Sequence, residues 1–142
     1  MKIFTYKSLP VAVFTRNEHC PPHVHAGSAD WDARFEFSFW HDGVRLLDVV
    51  PAKNRPSVAV LEGIRQTLKK PQHLRRARTC WWQSSQAVCL INQRWDTQSQ
   101  EVVPPKEKRR RTVLIQAAVF DVLRDRTILR SRGVSSPTEI QL

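Results

Sequence analysis

The sequence predicts an α+β fold: a small antiparallel sheet packed on one or two helices, with a basic C-terminal extension. Three observations predict it. Residues 1–50 carry short apolar runs that alternate with a period of two, and residues 57–95 switch to steps of three and four. Residues 96–112 lose both periods and fill with polar and basic side chains. We therefore expect a single domain over 1–95, a polar basic linker over 96–112, and an extension over 113–142 packed on the main domain. With 142 residues, 41% of them hydrophobic, the chain can bury a real core.

Taken in order, residues 2–6 and 11–15 read as strands separated by Ser8-Leu9-Pro10. In Ala33–Trp40 the side chains alternate, with Phe35, Phe37 and Phe39 on one face and Arg34, Glu36 and Ser38 on the other, the pattern of a half-buried strand. Asp42-Gly43 supplies a hairpin turn, after which 44–50 returns antiparallel. Leu61, Ile64 and Leu68 take helical spacing behind Ser57, a natural N-cap, so a helix is expected near 57–70. Pro71 starts a second helix or kinks the first. Leu74, Ala77, Trp81, Ser84, Val88, Ile91 and Trp95 then form a helical stripe of about six turns. Val113–Leu123 fits helix or strand equally. Thr127–Leu129 and Glu139–Leu142 look like short strands.

Composition excludes several classes. No apolar run approaches the ~20 residues of a membrane helix, so no membrane partner is expected. The N-terminus lacks the apolar stretch and cleavage site of a signal peptide. Cys20, Cys80 and Cys89 then read as reduced thiols of a cytoplasmic protein. The net charge of +10 is unevenly placed. Residues 1–64 hold seven basic and seven acidic side chains, whereas residues 65–142 hold sixteen and six. A half so charged suits a polyanion or an acidic partner, or it serves only as a solubilising surface.

The densest chemistry lies in Glu18-His19-Cys20-Pro21-Pro22-His23-Val24-His25, which holds three of the five histidines. His23 and His25 point the same way if Val24 is in a strand. The two prolines stiffen the backbone ahead of them. Two parallel imidazoles suit an acid–base pair or phosphate contact, with Glu18, His19, His23 and His25 as the catalytic candidates. They suit equally a transition metal bound through His19, Cys20, His23 or His25, although no cofactor is required. The third reading is a structural loop whose rings bond to backbone.

Asn17-Glu18-His19 followed by Pro21-Pro22-His23-Val24-His25 resembles the signature of the bacterial domain-of-unknown-function family 4160, over roughly residues 1–85. Alternating strands, a hairpin and helices ending in the aromatic segment Arg78–Trp82 continue the resemblance. Cys20 and the long tail after Trp95 depart from the short family pattern. The resemblance implies a small cytoplasmic protein of toxin–antitoxin type, with an antitoxin-like protein as a partner.

Between Arg65 and Arg78 the chain places Arg65, Lys69, Lys70, Arg75, Arg76 and Arg78 with no acidic residue, and Lys106–Arg111 adds a second cluster. Such clusters neutralise phosphates. Trp81 and Trp95 fall on the apolar stripe and are expected in the core, while Trp82 lies off it and is the candidate for stacking on a base. The functional expectation is a toxin-like component that binds or cuts RNA. The alternatives are a non-catalytic module for an acidic protein and a histidine-ligated metal protein.

Overall fold

A computed structural model describes residues 1–107, 109 and 111–142. Lys108 and Arg110 of the expected basic cluster lie outside them. Two units emerge: Met1–Ser38 with Asp42–Gln86, and Phe39–His41 with Ala87–Leu142.

The first unit opens on a hairpin. Lys7 and Ser8 adopt φ of 44° and 69°, the left-handed geometry that a two-residue turn needs to match strand twist. They join β1 (Lys2–Tyr6) to β2 (Leu9–Ala12), so β2 starts earlier than the expected 11–15 and includes Pro10. Pro10 lies outside the pairing of β2 with the next strand, which involves only Val11 and Ala12, so its missing N–H costs no bond there. β3 (His23–Gly27) and β4 (Asp32–Glu36) pair antiparallel across the turn 28–31, closed by the Ser28 amide donating to the Trp31 carbonyl at 3.0 Å. An added Cβ at Gly27 would stand 2.4 Å from that carbonyl, so only glycine lets the two strands approach this closely.

β5 (Arg45–Val50) completes a five-stranded antiparallel sheet whose strand order follows the chain, β1-β2-β3-β4-β5. The expected strand 33–40 ends at Glu36, and eight residues rather than an Asp-Gly turn lead to β5. Asp42 instead accepts a hydrogen bond from Arg78 at 2.9 Å. Phe35, Phe37 and Phe39 are nonetheless all buried.

α1 (Val58–Leu68) is capped by Ser57, whose Oγ accepts from the Val60 amide at 3.2 Å. Pro71 is the first residue of α2 (Pro71–Ser85). The six-turn stripe does not survive as one helix. Gln86 turns left-handed and ends α2, and Cys89 and Asn92 are left-handed as well. Three such residues in seven cannot continue an α-helix. Val88 and Trp95 are buried as the stripe predicted, but outside the helix, and Ile91 is exposed.

In the second unit the expected linker contributes strands. β6 (Arg94–Asp96) pairs with both β7 (Glu101–Val103) and β8 (Thr112–Asp121), and β9 (Arg126–Ser131) and β10 (Thr138–Gln141) follow in the order β10-β9-β8-β6-β7. The tail is therefore the bulk of an antiparallel sheet, with Ile115, Phe120 and Leu129 in its core. Asp96 anchors it. Its fully buried carboxylate accepts from the amides of Gln98 and Ser99 at 3.0 and 3.1 Å, and from Arg109 and Arg111 at 3.2 and 2.7 Å. Burial alone would raise its pKa. The Ser99, Arg111 and Gln98 bonds outweigh that and hold the carboxyl well below the usual carboxylate range.

Candidate metal centre

β3 carries the histidines because its pleat puts His23 and His25 on one side while Val24 and Ala26, both fully buried, take the other. Their ring centroids lie 5.0 Å apart. Both rings reach back to Glu18, with Nε2 of His23 2.7 Å from one carboxylate oxygen and Nε2 of His25 2.9 Å from the other. His23 is buried, and Trp81 stands against it at 5.3 Å between centroids.

The Nδ1 atoms decide what the Nε2 atoms can do. His23 Nδ1 lies 2.8 Å from the Pro21 carbonyl. A carbonyl only accepts, so Nδ1 carries a proton, and the tautomer with that single proton has its lone pair at Nε2. His23 Nε2 is buried, with the Glu18 carboxylate oxygen 2.7 Å away. His25 Nδ1 faces the Asp32 carboxylate at 3.0 and 3.3 Å. Nε2 of the same ring lies 2.9 Å from Glu18, so the ring donates to either carboxylate, and donation to Asp32 leaves the Nε2 lone pair for an ion. This is the outer-shell arrangement of metal-binding histidines, in which the distal N–H is tied to a carbonyl or carboxylate.

Glu18, His23 and His25 could hold a metal ion: one ligand atom from each lies within 4.8 Å of the others. Two donors bonded at about 2.0–2.1 Å stand about 3.4 Å apart in a tetrahedron, so the observed 2.7 and 2.9 Å would open by about half an ångström around an ion. Two imidazoles and one carboxylate would leave an ion with positions open for water or substrate, as three-ligand catalytic sites do. Nearby, Arg34 bonds Asp48 and holds its carboxyl below the usual range.

Other expected residues fall elsewhere. His19 is exposed and outside this group. Cys20 is disulfide-bonded, against the expectation of a reduced thiol there, and has no thiolate to offer a metal, while Cys80 is a free, buried cysteine. Arg78, expected on an exposed basic face, is buried at 2% exposure, where Nε donates to the Ser38 carbonyl at 2.8 Å and a terminal nitrogen pairs with Asp42. It belongs to the core. Arg65 is paired with Glu62 and the Val44 carbonyl. Lys69, Lys70, Arg75 and Arg76 are exposed, and Trp82 is half-buried. The sequence reading missed Asp32 and Phe14. Asp32 was findable, since a hairpin turning at 28–31 puts it diagonal to His25. Phe14 stacks on His25 with centroids 3.8 Å apart and planes 5° from parallel, and nothing in the pattern signalled it.

No protein-family model matches the chain, and no curated protein or solved structure matches it either. Among the described residues no helix is long and apolar enough to cross a membrane.

Proposed function

We propose that this protein is a metalloprotein of the two-histidine, one-carboxylate kind, binding a divalent transition metal through Glu18, His23 and His25 and using it to activate water. One observation carries the reading: both imidazoles have their Nδ1 committed, to Pro21 and to Asp32, and turn Nε2 toward one carboxylate. A purely structural loop would tie its rings to backbone, as His23 Nδ1 is tied to Pro21, whereas both Nε2 atoms here converge on one carboxylate. Tag-free protein titrated with Zn²⁺ in a calorimeter should take up one equivalent, and the His23→Ala variant should take up none. Less than about a tenth of an equivalent bound by the parent overturns the reading.

The substrate we propose is RNA, consistent with a toxin–antitoxin-type role. Support comes from Lys69, Lys70, Arg75 and Arg76, four exposed cations at the end of α1 and on α2. Replacing Arg75 and Arg76 by Gln should weaken RNA binding and flatten its salt dependence by about 1.4 in log–log slope. Cleavage of labelled RNA that stops with chelator supports the metal-dependent reading. Cleavage that persists points to Glu18 and His25 as an acid–base pair. No binding to RNA, with an acidic protein captured instead, favours the non-catalytic alternative.

A further inference from the structure

A cleft of about 200 Å³ lies beside the metal centre, lined by Pro10, Ala12, Phe14, Ser28 and Trp31, with His25 and Asp32 among its walls. Its size is below the ~300 Å³ of a drug-sized pocket and suits a single ring system. Phe14 is the unusual member. One face stacks on His25, yet the side chain stays 48% exposed, a large aromatic surface left in water beside a charged group. Asp32 supplies the polarity: it is half-exposed and accepts one N–H from His25, so carboxylate lone pairs remain for another donor. The cleft therefore offers stacking surface and a hydrogen-bond acceptor.

We propose that this cleft binds a nucleobase carrying an exocyclic amino group, stacked on Phe14 with its amino group donating to Asp32. A flat apolar ring without a donor would leave that acceptor unused, and an acidic group would be repelled by it. A base attached to a phosphate fits both halves of the site, because His25 belongs to the cleft and to the metal centre. Placing the phosphate at the metal rests on the reading above; the base pocket itself does not.

The test begins with the metal-free protein, titrated calorimetrically with adenosine and with purine riboside, which lacks only the amino group. Adenosine should bind about ten-fold more tightly, and Phe14→Leu should weaken it by about ten-fold while the variant keeps the parent's thermal midpoint. Equal binding of the two nucleosides, or no loss in Phe14→Leu, overturns the proposal. Zinc titration without nucleoside reports the metal reading separately, so failure of one is not mistaken for failure of the other. Adenosine monophosphate and a tetra-adenylate strand, compared on the zinc-loaded protein, separate a free nucleotide from a strand as the source of the base. Failure of both to bind more tightly than ribose 5-phosphate also overturns it.

Discussion

Asp96 in the second unit and Glu18 in the first each gather two nitrogen-bearing side chains, two guanidiniums in one case and two imidazoles in the other. Asp96 is fully buried and takes four donors, two of them backbone amides that close the β6–β7 turn. Its partners are permanent cations with no lone pair to offer anything else. Glu18 is 18% exposed and faces rings whose nitrogens accept as readily as they donate, one of them buried. The difference teaches how to separate a structural carboxylate from a functional one. What matters is whether the surrounding atoms still have valence to spend.

The largest effect expected from that contrast is on metal uptake. His25→Ala should lower zinc affinity by more than about a hundred-fold, beyond the ten- to hundred-fold typical of an outer partner. A loss within about ten-fold, read by competition with a chromogenic chelator, would put Glu18 in the same class as Asp96. Asp32→Asn comes next, about ten-fold weaker in zinc affinity, because the amide orients His25 less firmly. If zinc affinity stays at the parent value, Asp32 is a bystander.

Asp96→Asn should leave zinc affinity unchanged and lower the thermal midpoint by about 5–10 °C, since Arg109 and Arg111 lose a carboxylate. A shift in zinc affinity would blur the comparison. The pH dependence sharpens it. Because the Asp96 carboxyl is depressed on folding, its stabilisation is full above the unfolded value of about 3.9 and is lost as pH falls below it. Metal binding runs differently, since protons compete with the ion for both imidazoles, so zinc affinity should fall at pH values where the fold is still intact.

The smallest effect belongs to an exposed pair. Glu62, held at about 2 instead of 4.5 by hydrogen bonds from Arg65 and Gln66, loses its contribution between those values as pH falls. Exposure and salt screening make Glu62→Gln nearly silent in a melt at pH 7, and a shift of several degrees would contradict that.

Much of the first unit was legible because its periods are strong. The phenylalanine alternation, the Ser57 cap and the Pro71 start all act within a few residues, and local rules read local causes. The stripe from Leu74 to Trp95 misled because burial and helicity are separate properties. Val88 and Trp95 are buried as predicted, yet left-handed Gln86, Cys89 and Asn92 put them outside the helix. Nothing in those three side chains demands that conformation. Arg78 misled for a related reason: one buried carbonyl, Ser38, and one acid 36 residues upstream, Asp42, draw it inward. In the site, the i, i+2 histidines were visible. Their ties to Glu18 and Asp32 come from loop closure and strand register, which no periodicity encodes.

The order of the first sheet bears on how the protein is made. Each strand from β1 to β5 pairs with its neighbour in the chain, so pairing can begin as soon as a hairpin has emerged from the ribosome. Glu18 to Asp32 span one short stretch, and the loop they close costs little entropy. The centre can therefore assemble once β4 is synthesised, before either helix exists. An ion captured at that moment would fasten the β3–β4 hairpin in its final register and act as a nucleus on which the remaining strands add.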